Sequence, residues 1–228
     1  MTTTDDTFPS GSRLSGPERV AVGSALRRIP EQARSWRQVE RVIAAAEETL
    51  AAGGYEEIAG NVTALVEASG LPSGSFYTYF TSADSVLEAL RLLWVQRFQP
   101  MLARAFETPC PDWESAVDRA VDAVVEFFSF AGARELWLSH QLSPTALAAE
   151  RASDAGLGDR VVREIESTGD RFIGDEVDRV VFVAILDQLV RLSFLRGSDG
   201  RADPAYIDRA RQATKAFVGA RVRVRVTP

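Results

Sequence analysis

Apolar residues recur at the spacing of an α-helix in one segment after another of this 228-residue chain, and that pattern limits its fold more than any other feature. Between Gln32 and Ala52, Val39, Val42, Ile43, Ala46 and Leu50 follow the i, i+3, i+4, i+7 spacing of one buried face, and Gly53-Gly54 stops the helix. Ser82 caps a longer helix through Val86, Leu87, Leu90, Trp94 and Phe98, which Pro100 is expected to kink or end. Val117, Val121, Val124, Val125 and Phe128 mark another from Trp113 to Ala131. A weaker helix is expected from Arg134 to Ala149, interrupted at Pro144. A short one follows from Arg160 to Thr168, flanked by Gly156, Gly158 and Gly169. Pro17 opens a short helix near the start, and Pro204 opens the last one, with Ile207, Ala210, Phe217 and Val218. The period-two run from Arg221 to Val226 reads as a frayed basic tail rather than a strand. The expected architecture is all-α, with about eight to ten helices.

Composition narrows the function. Apolar residues make up 46 % and charged residues 25 %, the balance of a globular domain. Cys110 is the only cysteine, so no intrachain disulfide forms, and His140 is the only histidine, so a multi-histidine metal site is excluded. No Gly-Lys pair, no Gly-x-Gly-x-x-Gly and no serine with glycines at −2 and +2 occurs, so three common enzyme signatures are missing. Neither an enzyme nor a cofactor is expected. The longest apolar stretches fall far short of the ~18 residues of a membrane span. The first thirteen residues lack the apolar core of a secretory signal. A cytoplasmic protein without a membrane partner is expected.

The informative segment is Asn61 to Phe80, NVTALVEASGLPSGSFYTYF. It encodes a short helix capped by Asn61, a turn at Gly70 and a second short helix. Leu65 and Val66 face inward on the first helix, Leu71 fills the corner, and Phe76 and Phe80 anchor the second. That spacing is a helix-turn-helix, whose second helix can enter the major groove of DNA. Its outward positions are expected to be Ser73, Gly74, Ser75, Tyr77, Thr78 and Tyr79. Small residues at its leading end allow close approach, and hydroxyls and backbone N–H groups can donate to phosphate oxygens.

From Arg34 to about Leu90 the chain resembles the DNA-binding domain of the TetR family of transcriptional regulators. The resemblance rests on Gly54-Tyr55 at the end of the first long helix and on Gly70 to Phe80 as turn and recognition helix. Ser82 to Leu87 at the next helix start and Gln32 to Ser35 as lead-in add to it. It implies that Ser75, Tyr77 and Tyr79 touch phosphates, that Ser73, Gly74 and Thr78 lie against base edges, and that Asn61 and Thr63 cap their helix toward the backbone. It also implies that Arg34 and Arg37 reach phosphate or the minor groove. The chain departs from the family in its charge. Residues 61–83 contain no Lys or Arg, and residues 34–97 hold five arginines against eight acidic residues. Residues 10–33 add four arginines and two glutamates, which help only if that segment tracks the DNA. Tyr55 to Gly60 is also two residues longer than the family pattern.

The implied organisation is a flexible extension over residues 1–31, the helix-turn-helix domain over 32–82, and a ligand-binding and dimerisation domain over 83–228. In the last of these, Phe98, Phe127, Phe130, Trp137 and His140 are the candidate lining of a pocket for a small apolar effector. Between Asp175 and Arg196, Val177, Val180, Val181, Ala184, Ile185, Leu189 and Leu192 share a face, while Phe182, Val183 and Leu186 lie off it. A helix apolar nearly all round is buried on both sides, which suits a homodimer built from it and the last helix. The expected function is a ligand-responsive transcriptional regulator, a repressor, that binds a palindromic double-stranded operator as a homodimer. The alternative is the same fold with DNA binding weakened or lost, serving as a ligand- or protein-binding dimer.

Overall fold

The computed structural model describes residues 13–138 and 143–224. Among these, ten α-helices carry the fold: α1 (Gly16–Gly23), α2 (Ala33–Gly53), α3 (Val62–Ser69), α4 (Ser73–Tyr79), α5 (Ala83–Ala105), α6 (Trp113–Ser129), α7 (Ala131–Leu138), α8 (Pro144–Ser167), α9 (Glu176–Arg196) and α10 (Pro204–Gly219). The chain divides into two compact units, one within Met1–Arg97 and Phe130–Leu147, the other within Phe98–Ser129 and Ala148–Pro228. The division therefore falls inside α5 and inside α8, whereas the sequence suggests a boundary between residues 82 and 83. No helix among the described residues is long and apolar enough to cross a membrane.

In the first unit α2 is the spine. Its buried stripe holds Val39, Val42, Ile43, Ala46 and Leu50, as its periodicity predicts, with Trp36 and Ala45 in addition, and α3, α4 and α7 pack on it. The long connection after Gly54 forms a 3-10 turn, Tyr55–Glu57, and buries Ile58 completely, which absorbs the extra length.

Residues 13–23 correct the expectation of a flexible extension. Ser15 and Glu18 form a reciprocal cap, in which the Ser15 N–H donates to the Glu18 carboxylate at 2.7 Å. Leu14 and Val22 are buried, and Arg19 lies over the Trp36 ring while pairing with Glu40 at 3.1 Å. Buried Arg97 of α5 donates to Glu18 at 3.1 Å and to Glu47 of α2. A guanidinium removed from water needs such partners, so α1 is fastened to both helices. The two carboxylates respond differently. Burial pushes the Glu18 carboxyl up, but hydrogen bonds from Ser15 and Arg97 outweigh it and hold the group below its ordinary value. At Glu47, burial outweighs Arg97 and the carboxyl is pushed up.

In the second unit α6, α9 and α10 pack on one another. Val117, Val121 and Phe128 of α6 meet a core to which α9 contributes Phe182, Val183, Leu186, Val190 and Phe194, and α10 Ala210, Thr214 and Val218. Lys215 pairs with Asp118 at 2.6 Å across α6 and α10. Three sequence expectations change. α5 runs through Pro100 to Ala105, because Met101, Leu102 and Phe106 keep burying apolar surface beyond the bond that proline loses. Pro144 opens α8 instead of interrupting a helix, a position where its missing N–H costs nothing. α8 then continues through Gly156 and Gly158 on the buried residues Leu157, Val161 and Ile165, and a Cβ at Gly158 would lie 3.5 Å from Arg179 and Val183.

Residues 221–224 are also more ordered than a frayed tail. β1 (Arg171–Phe172) pairs antiparallel with β2 (Val222–Arg223), Phe172 opposite Val222. Arg221 holds the corner, donating to Asp178 with its guanidinium 3.7 Å over the Phe217 ring.

Candidate nucleic-acid interface

Three residues, Gly70-Leu71-Pro72, turn α3 into α4. Asn61 starts α3, its Oδ1 accepting from the Ala64 N–H at 3.2 Å. Gly70 ends it in the left-handed conformation at φ 61° and ψ 23°, which glycine adopts without steric cost. Arg41 of α2 donates to the Gly70 carbonyl at 2.9 Å and fixes the turn to the spine. Leu71 is buried at the corner. Phe76 and Phe80 are fully buried with ring centroids 5.6 Å apart, and they seat α4.

The opposite side of α4 is open. Ser73, Gly74, Tyr77 and Thr78 are exposed and Ser75 is half-buried. Tyr77 stands edge-on to Phe76 at 5.4 Å. The Thr78 hydroxyl donates to the Gly74 carbonyl at 2.9 Å, so its lone pairs remain free to accept. Tyr79 corrects the sequence expectation. It does not face outward: it lies one helical turn after Phe76, shares that residue's face and is only 7 % exposed. Arg34 and Arg37, on the first turns of α2, are exposed, as are Asn61 and Thr63 at the start of α3. The helix-turn-helix thus brings together a small, hydroxyl-rich outward surface.

Two residues absent from the sequence-based set lie against that surface. The segment after α1 returns to α4, where the Arg27 N–H donates to the Tyr79 carbonyl at 2.9 Å. Arg27, Arg28, Gly74, Tyr77 and Thr78 line a shallow groove of about 500 Å³. Both arginines are exposed, and neither has an ion-pair partner among the described residues. The only sequence signal is the adjacent pair of arginines, because helical spacing within 10–33 does not reveal that the segment folds back on α4.

No family model matches the sequence, and no curated protein does. Solved structures do match the fold. A TetR-family transcriptional regulator from Streptomyces coelicolor is similar at a TM-score of 0.58 and 22 % identity, over 81 % of this chain and 99 % of that one. The multidrug binding protein EbrR, solved with imidazole, is similar at 0.59 and 19 % identity, over 88 % and 100 %. A transcriptional regulator from Saccharomonospora viridis in complex with choline is similar at 0.56 and 18 % identity, over 82 % and 98 %. The fold is that of the TetR-family regulators.

Within this TetR-type fold the residues expected to line an effector pocket fall into separate places. In the second unit, the Phe98 and Phe127 rings meet edge-on at 5.4 Å, and Phe127 meets Phe128 at 5.5 Å, a packed aromatic cluster. In the first unit Phe130 stacks on Trp94 at 5.4 Å, and the Arg91 guanidinium lies 5.2 Å over Trp137. His140 lies outside the described residues. α6 ends at Ser129, which explains how Phe127 and Phe128 bury together while Phe130 packs elsewhere. A cavity of about 360 Å³ in the first unit has a different lining that includes Tyr55, Asp84, Glu88 and Ser143. Ser143 donates to Glu88 there at 2.7 Å. Burial first, and the Asp84 charge second, push the Tyr55 phenol up. That lining is too polar for the apolar site expected from the sequence.

On the TetR-type α9, the side chains facing the core are Phe182, Val183, Leu186, Val190 and Phe194. The valine stripe is the outer face: Val177 is 66 % exposed and Val180 55 %, with Val181 and Ala184 exposed beside them.

Proposed function

We propose that this chain is a TetR-family transcriptional regulator that binds operator DNA as a homodimer and releases it when a small effector binds. The observation that carries the reading is the two-sided α4. Phe76, Tyr79 and Phe80 seat it in the core, and Ser73, Gly74, Tyr77 and Thr78 are left facing out at its leading end and along one side. That side fits a major groove, with the Tyr77 hydroxyl and Arg34 and Arg37 in phosphate-contacting roles and Ser73, Gly74 and Thr78 toward base edges. Asn61 and Thr63 face the backbone from the start of α3.

A dimer supplies the second reading head. The exposed apolar stripe of α9 is the surface we assign to it, together with α10, because contiguous exposed valines mark an interface more often than a solvated face. The effector site is proposed among the aromatic side chains of the second unit around Phe98 and Phe127, which must part to admit it. A ligand that prefers the non-binding arrangement ~100-fold contributes ~2.7 kcal/mol of coupling, enough to empty an operator.

Gel-shift titration with a duplex recovered by the wild-type protein tests this. Tyr77→Ala weakens binding on every duplex, and Ser73→Ala changes the preferred bases at one position of each half-site. Unchanged affinity and preference in both variants would overturn the docking of α4.

A further inference from the structure

The recognition segment has a deficit of charge. Affinity for duplex DNA comes largely from neutralised phosphates, yet residues 61–83 carry no basic side chain and one glutamate, Glu67. Five of the eight other arginines of the first unit are engaged: Arg19 pairs with Glu40, Arg97 with Glu18 and Glu47, and Arg134 with Glu135, while Arg91 donates to the Leu136 carbonyl and Arg41 to that of Gly70. Arg34 and Arg37 are exposed and already have proposed phosphate roles on α2.

We infer that Arg27 and Arg28 supply the missing charge, gripping the phosphodiester backbone beside the groove that α4 enters. The inference rests on the proposed DNA binding and adds to it the residues that provide affinity. Three observations converge. The two guanidinium-bearing residues share one groove with Gly74, Tyr77 and Thr78 of the outward face. They are exposed and without an ion-pair partner among the described residues. Their backbone is fixed at both ends. Ahead of them, the Ser15–Glu18 cap and the Arg97–Glu18 pair hold α1. At the pair itself, the Arg27 N–H is bonded to Tyr79, and Pro30 is buried just beyond. A segment already ordered before binding loses little further freedom on docking, so its charges act at near full value. A phosphate strand suits the groove: the Tyr77 and Thr78 hydroxyls stand beside the two cations, and Gly74 lets a backbone approach closely, so the lining offers the charge and donors that a phosphodiester accepts.

The test measures binding of the full-length protein to poly(dI-dC) and to the recovered duplex across a salt series. Arg27→Ala/Arg28→Ala flattens the slope of log affinity against log salt by about 0.9 for each phosphate no longer neutralised, on both duplexes, without altering the bases preferred. Arg27→Lys/Arg28→Lys retains the wild-type slope, since charge is what phosphate reads. The substitutions leave the Arg27 N–H bond to Tyr79 in place, and an unchanged melting temperature checks that the arm stays folded. An alanine variant with the wild-type slope, on a protein whose binding Tyr77→Ala still weakens, would overturn this inference and leave the DNA reading standing. A lysine variant as weak as the alanine one would overturn it too. A wild-type protein with no salt-dependent binding to either duplex would overturn both.

Discussion

Single residues decide whether the reading head keeps its shape. Gly70 holds φ 61°, and a Cβ there would come within 2.8 Å of the Arg41 Nη2 that braces the turn. Gly70→Ala therefore costs about 1–2 kcal/mol of stability, measurable by thermal or denaturant unfolding, whereas Gly70→Asn costs less because asparagine tolerates the left-handed region. Glu18 makes a second residue-scale prediction. Its folded carboxyl titrates below the ordinary value of 4.5, so its contribution is complete above that value and is lost as pH falls through the lowered one. Protection factors of the amides across Gly16–Gly23, with the intrinsic slowing of exchange in acid divided out, should be high at neutral pH and fall in acid. Glu18→Gln should lower them at neutral pH as well. Protection that ignores both pH and the substitution would remove Glu18 from the account. Tyr79 shows the limit of reading α4 as letters. In a helix of only seven residues, a ring at i+3 from Phe76 can be seated or free, and which one holds depends on the neighbours that enclose it.

At the scale of elements, the sequence is most legible where one amphipathic stripe meets one core. The five apolar positions in register on α2 locate it to within a residue at each end, and the α3–turn–α4 unit is as plain. Legibility falls where prolines and glycines sit inside helices. Pro100, Pro144 and Gly158 read as breaks, yet neighbouring buried side chains carry the helices past the first and third, and the second is a helix start. It also falls where a helix is apolar on two sides. Periodicity cannot say which face of α9 belongs to its own protomer, and the phenylalanine face is the one enclosed. The exposed face gives a prediction at this scale. Val180→Arg places a charge in the proposed seam, so sedimentation should show a shift from dimer toward monomer and operator affinity should fall with it. A variant that remains dimeric would move the interface elsewhere.

For the whole molecule, the sequence identifies a helix-turn-helix and an all-α remainder, and the structure adds how the chain before α2 is used. Residues 1–16 read as tail because their Thr, Ser, Gly and Pro content is that of a linker, and Pro17 reads as the start of a short helix. Residues 13–30 are held by partners distant in sequence, Glu18 by Arg97 and Arg27 by Tyr79. The effector side is least legible, since aromatic side chains build cores and pockets with the same spacing, and Phe98 and Phe127 pack ring against ring. In the proposed function, the outward face of α4, presented twice by a dimer, reads a duplex. Selection of bound duplexes from a random pool by the purified protein tests it most directly. Enrichment of an inverted repeat is expected, with half-sites one helical turn, ~34–36 Å, or a multiple of it apart. A pool that emerges without any enriched sequence would contradict it.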